Sequence, residues 1–392
     1  MENLATMRQR FPAMGEILAR PYRLFFLGAA SYAVIHLLLW LCFLTGGPIA
    51  ARGNPFAWHG YELLFGFAGA IITGFLLTAA ANWTGQRTLT PPALLVLFAA
   101  WLAARIAHAS GAEPWLVLVA DGIFLWGLVI ALARVLIRTG NRRNYRFLPI
   151  VALLAIGAGI YQLGVIGALP DWRYPVLYGG AELLLLLMVV MGGRVIPFFT
   201  GRRLPGLQVE DPEWLANATA IFVLAAIIGG WVLPEHFAAA LAWFAACLVL
   251  ARLLHWSPLG TWHEPMLWIL HAGYLWLALA LFLRGGSLAW GWMPLSTSVH
   301  AIVLGGLGCL GLGMMARVAL GHGGHEIRAP LWLLPAFALV VLAPVPRLLS
   351  AYPAWFDPQT LYVVSGGAWI VAFGIYALGY TPILLGARAN AS

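Results

Sequence analysis

Lysine is absent from this 392-residue chain; all 22 basic side chains are arginine. Charge of either sign is scarce, at 9% of residues, against about 25% in an ordinary soluble domain. So few charges cannot keep a globule of this length in water. Cysteine is limited to Cys42, Cys247 and Cys309, each inside an apolar run, which excludes a disulfide framework and suits packing roles. No Cys-x-x-Cys-His occurs, so covalent attachment of a c-type heme is excluded. Residues 1–20 are polar and lack the short apolar core of a cleavable signal peptide, so none is expected there.

What is present is hydrophobic: 62% of residues, with a mean hydropathy of +0.87. The reading is an all-α polytopic membrane protein, one bundle of about twelve spans of roughly 20 residues each. Apolar runs between breakers predict helices at about 23–45, 58–81, 92–110, 115–137, 147–167, 176–199, 214–233, 237–255, 264–284, 297–320, 331–349 and 359–385. Loops are short and rich in Gly and Pro, and no linker separates domains. Residues 1–392 therefore read as a single membrane domain, with 1–22 as a cytoplasmic segment and 23–385 as the bundle. No internal repeat is evident. The net charge of +8 belongs to topology and lipid contact rather than nucleic acid. Arg52, Arg105, Arg173, Arg284 and Arg347 fall on one side; the other arginines fall on the opposite side. This bias places both termini in the cytoplasm and the start of the second helix at the outer face.

Residues 58–85 are the most informative stretch. Trp58-His59-x-Tyr61-Glu62 opens a span, where histidine and glutamate are expensive to bury and so mark a ligand or proton-handling site. Glu62 is one helical turn from His59, so both can face one site. Ten histidines occur in all. His108, His236, His255 and His263 lie at span ends or in loops and read as wet surface imidazoles. His36, midway along helix 1, is harder to dismiss. His271 lies within its span and needs a polar partner or a metal. His300 opens a helix carrying Gly305, Gly306, Gly308, Gly311 and Gly313, whose bare backbone admits either a neighbouring helix or a flat ligand. His322 ends it, followed by His325. His300 and His322 are 22 positions apart, roughly 33 Å along a helix, so they cannot share a metal. The outer depth holds His59, Glu62, His300 and the embedded carboxylates Asp121 and Glu182. The inner depth holds His322, Arg317 and Arg194, with His271 about 10 Å within. Pairing with arginine or a hydroxyl is the plain alternative for the carboxylates, and snorkelling for the arginines.

Six segments resemble the NnrS family, membrane proteins of the bacterial nitric oxide response that hold heme and copper. They are residues 58–85; Arg20-Pro21-Tyr22-Arg23-Leu24-Phe25-Phe26; Arg142-Arg143-Asn144; Gly192-Gly193-Arg194-Val195-Ile196-Pro197-Phe198-Phe199-Thr200; Glu264 to Tyr274; and His300 to Gly324. Tyr61 stands where the family's Trp-His-x-His-Glu motif has its second histidine, which weakens a copper site there. Gly323 and His325 depart from a Leu-Gly-His-Thr-Gly-Arg ending.

The resemblance implies a bacterial inner-membrane protein of nitric oxide tolerance. It implies heme b, with copper as a second and weaker expectation, nitric oxide or a related small gas as ligand, and lipid as surroundings. Conversion, sensing and simple binding of the gas stay open, as does the electron donor. For the iron, His59 and His300 enter from the same face at equal depth and are the expected axial pair. The glycine side of the His300 helix would leave room for the ring, and Glu62 would orient a ligating imidazole. His271 and His322 are the competing pair, separated in depth by roughly 13 Å. Arg194 and Arg317 are candidates for the propionates. A transporter or channel for a metal or small anion, using the same embedded His, Glu and Asp, is the other class.

Overall fold

A computed structural model describes residues 12–18, 20–50 and 52–389. Arg8, Arg10 and most of the expected cytoplasmic segment lie outside the described residues. Among those described there is no strand, and twelve helices are long and apolar enough to cross a membrane. They are α1 Pro21–Leu44, α2 Pro55–Thr84, α3 Pro91–Ala109, α4 Pro114–Arg138, α5 Arg142–Ile166, α6 Pro170–Arg203, α7 Glu213–Val232, α8 Glu235–Leu254, α9 Pro265–Trp290, α10 Leu295–Gly323, α11 Leu331–Leu349 and α12 Pro358–Leu385.

The starts are written in proline. Pro21, Pro55, Pro91, Pro114 and Pro265 each occupy the first turn, where a missing N–H costs nothing. Asn54 adds a side-chain cap before α2, accepting from the Phe56 and Ala57 amides at 2.8 and 3.3 Å. Gly85 ends α2 at φ 67°, a conformation that a β-carbon would strain. Several helices outrun their apolar cores: α2 begins three residues earlier than expected, and α6 runs to Arg203. Hydropathy marks the hydrocarbon depth, whereas the backbone ladder continues until a proline or glycine stops it.

Short 3-10 turns open α5, α6 and α11, and two further segments widen instead. Glu62–Ala68 in α2 and Ala301–Leu307 in α10 are π-helix, the first beginning at Glu62, three residues after His59, and the second directly after His300. Such turns are rare and concentrate at functional sites.

The chain divides into two compact units. The first comprises Met1–Gly180, Met315–Glu326 and Tyr376–Ser392; the second comprises Ala181–Met314 and Ile327–Ile375. Within the first, α1 packs on α2, α3 on α4 and α4 on α5. Its aromatic core gathers Phe25 from the α1 opening motif against Phe98, Trp101 and Phe124 at 5.5, 6.4 and 5.8 Å between ring centres. Arg23 of the same motif is buried and donates to the Leu384 carbonyl at 3.1 Å and to the Gly386 carbonyl, capping the end of α12.

Within the second unit, α7 packs on α8, α8 on α9 and α9 on α10. Here the glycines of α10 are filled by side chains. A β-carbon at Gly305 would strike Trp276, at Gly306 Leu277, at Gly308 Trp369 and at Gly313 Ile269. The expected opening for a flat ring along these glycines is therefore occupied. Close helix packing is what these bare positions serve.

Candidate functional site

The first unit holds a buried polar cluster built by four spans. Tyr32 and His36 are one turn apart on α1 and share a face. His59, Tyr61 and Glu62 come from the first turns of α2, Arg105 and His108 from the last turns of α3, and Asp121 from α4. Glu62 is wholly buried and accepts from three donors: Tyr32 Oη, Arg105 at 2.5 Å and His108 Nδ1 at 2.6 Å. Arg105 bridges to both oxygens of Asp121 at 2.5 Å, and Tyr61 Oη donates to Asp121 at 2.6 Å. His36 Nε2 lies 3.1 Å from His59 Nδ1, and the His59 ring lies parallel to Trp40 at 4.2 Å.

Local sequence explains why the arginine fits. Gly66, inside the π segment, has no side chain, and a β-carbon there would sit 2.5 Å from Arg105 Nη1 and 2.9 Å from Glu62 Oε2. The π turn and the glycine together let a carboxylate and a guanidinium meet over the α2 backbone. Trp101 Nε1 donates to the Gly66 carbonyl at 2.9 Å, so that group is satisfied although the regular ladder is broken.

Sequence reasoning set two of these residues aside. His108, read as a wet imidazole, is 5% exposed and is the one that Glu62 orients. Arg105, counted as a topology marker, is 2% exposed and pairs with two carboxylates. The signal was their i, i+3 spacing, which sets both on one face of α3, opposite the otherwise unpaired Glu62 and Asp121. His236, His255 and His263 are exposed, as expected.

The second unit contains His271, His300, Arg194 and the third embedded carboxylate. Glu182 pairs with Arg284 and accepts from Trp231 Nε1 at 2.9 Å. Glu62, Asp121 and Glu182 thus all follow the plain alternative of pairing with arginine. His300 Nδ1 lies 2.6 Å from the Ser296 carbonyl, one turn back, and His271 Nδ1 lies 3.0 Å from the Leu267 carbonyl. A carbonyl only accepts, so each Nδ1 carries the proton. That leaves the Nε2 lone pair of each ring for another partner, and in His271 this atom is buried without one.

His322 and Arg317 belong to the first unit. The Asn82 amide lies 3.4 Å from His322 Nε2, and the ring faces Tyr22 at 5.6 Å. Arg194 and Arg317 are half-buried. Among the described residues, no group of three or more His, Cys, Asp or Glu is placed to hold a metal ion. Tyr61, at the position of the missing histidine, spends its hydroxyl proton on Asp121 and stacks on Tyr161 at 4.4 Å. Its surroundings do not fit a copper ligand set.

The family signatures also acquire physical roles. Gly192 receives the Tyr274 ring, and a β-carbon at Gly193 would overlap the Arg252 guanidinium. Arg252 donates to both Asp211 oxygens at 2.7 and 2.8 Å and to the Gly193 carbonyl at 3.0 Å. Residues 16–388 match the family model described as NnrS protein. The chain belongs to the NnrS family. Comparison with curated proteins finds no match. The NnrS match spans nearly the whole chain, so it takes in both units and every cluster described above.

Proposed function

We propose that this NnrS-family chain is a bacterial inner-membrane protein, with both termini in the cytoplasm, that binds heme b without covalent attachment and protects against nitric oxide and related nitrosative stress. The observation that carries the reading is the state of His300 and His271. Each ring is held by a carbonyl at Nδ1, which fixes the tautomer and leaves the Nε2 lone pair able to ligate. Imidazole of this kind, buried at His271 and half-buried at His300, suits heme iron. His300 in the second unit and His59 in the first are each ligand candidates, judged separately; His271 is the alternative. His322 is a weaker candidate because the Asn82 amide meets its Nε2. When bound, heme would supply an iron that takes up nitric oxide. The chain's own part is to present the imidazoles in one tautomer and to surround them with an apolar medium in which the gas dissolves.

The cluster around Glu62 bears on the transporter alternative. Its two carboxylates are already engaged by Arg105, His108, Tyr32 and Tyr61, so a passing cation would have to break those bonds. Protein purified from heme-replete cells tests the reading. A Soret band with acid-extractable pigment, lost in His300→Ala or His59→Ala, supports it. Colourless native protein overturns it. A wild-type spectrum in both variants, with loss in His271→Ala, moves the ligand role to His271.

A further inference from the structure

The twelve spans carry a period of four that the residues do not show as a sequence repeat. In α1–α4 the lengths are 24, 30, 19 and 25 residues; in α5–α8 they are 25, 34, 20 and 20; in α9–α12 they are 26, 29, 19 and 28. The second span of each block is the longest and the most buried, with 89, 61 and 89% of its apolar window covered. The third is the shortest or equal to it. Three successive four-span blocks therefore follow one plan.

The plan extends to side chains. In the first block, Arg105 in the last turns of the third span donates to Glu62 near the start of the second. In the middle block, Trp231 at the end of the third span donates to Glu182 in the second. In the last block, Arg347 ends the third span, and the turn that carries it packs on the turn that carries His300 in the second. Here the pattern breaks. The second span offers an imidazole where the other blocks have a carboxylate.

Arg347 is left with little. Its Nη1 donates to Ser350 Oγ at 3.0 Å and its guanidinium lies over the Tyr362 ring at 5.1 Å. Among the described residues no carboxylate pairs with it. Arg105, Arg252 and Arg284 each have one or two. A guanidinium has five N–H donors in a fork that matches a planar oxyanion, and a half-buried one without a counter-charge is costly.

We propose that Arg347, beside His300, is an anion-binding site whose missing acceptor is supplied by a ligand: a carboxylate or small planar oxyanion. Two sources share that chemistry, the propionate of a bound tetrapyrrole and a free anion from solution. Only the first depends on the heme reading above.

The test uses the full-length protein as purified, its Arg347→Gln and Arg347→Lys variants, and sodium nitrite titrated at constant ionic strength against sodium chloride. Unfolding midpoint and heme per chain are both measured. If the ligand is a free anion, nitrite raises the native midpoint by several degrees, Arg347→Gln abolishes the rise, Arg347→Lys keeps part of it, and heme per chain is unchanged. If the ligand is a propionate, nitrite has no effect and Arg347→Gln speeds heme transfer to apomyoglobin several-fold. Protein that purifies without heme but keeps an Arg347-dependent nitrite shift would sink the heme reading and leave this one standing. If Arg347→Gln does not accumulate, Arg347→Lys and Ser350→Ala carry the same comparison. Unchanged nitrite response and unchanged heme retention in these variants overturn the proposal.

Discussion

The guanidinium of Arg252 occupies the space where a side chain at position 193 would begin, and it donates to the carbonyl of the same Gly193 at 3.0 Å. Two more buried arginines repeat the relationship: Arg105 lies against Gly66 and Arg284 against Gly230. Each also holds a carboxylate. A glycine on one span thus serves as the socket for an arginine from another. Burying such a charge is tolerable because the guanidinium gains an ion pair while the bare backbone lets it lie flat.

Gly193→Ala should lower the unfolding midpoint in detergent, at a cost of about 1–3 kcal/mol for overpacking. The Arg252→Ala background, with the socket emptied, should remove most of that penalty. Equal penalties in both backgrounds would show that Gly193 is not a socket.

Arg105→Met should be more damaging. It leaves Glu62 and Asp121 buried without their shared cation, a change worth about 3–5 kcal/mol. Neutralising both acids as well, in Arg105→Met/Glu62→Gln/Asp121→Asn, should recover part of the loss. Thermal unfolding of the parent and the two purified variants decides this, and a triple variant no better than the single one would contradict it.

Tyr61→Phe removes one donor from Asp121 and should cost about 1–2 kcal/mol. Tyr61→His tests the copper expectation. With the neighbouring donors committed to Arg105 and Glu62, metal analysis should show no stoichiometric copper in the variant. One tightly bound copper per chain would mean that the cluster rearranges around the new imidazole.

Asp357 caps α12 from outside the span, accepting from the Thr360 amide at 2.8 Å and from its hydroxyl at 2.5 Å. These bonds hold its carboxyl below the usual carboxylate range. A depressed folded-state value means that the cap contributes above the unfolded-state pKa and is lost as pH falls through the folded one. Asp357→Asn should show a flatter loss of stability than the parent between neutral pH and strongly acidic pH. Identical pH profiles would remove the cap from the account.

Reporter fusions at alternate loops should place Arg142–Arg146, at the opening of α5, in the cytoplasm. An external signal there would reverse the assigned orientation.

Composition and hydropathy alone determined that the chain is a bundle of twelve membrane spans, because every span must bury about 20 apolar residues whatever its neighbours do. The same was true of Glu62, Asp121, Glu182 and His271, since their positions in the spans are a property of one dimension. Motif resemblance reached the family for the same reason. Only the tertiary structure decided partnership. Arg105 and His108 look like the polar end of a span until α1, α2 and α4 close around them, and His108 rather than His59 then receives the Glu62 carboxylate. The glycines of α10 read equally as a helix seam or a ligand floor until Trp276, Leu277, Ile269 and Trp369 fill them. Nor does any local pattern announce the π turns at 62–68 and 301–307, which interrupt apolar helix sequence with no proline within them. Hydropathy depends on how much of a side chain meets lipid; which buried donor meets which acceptor depends on residues tens to hundreds of positions away.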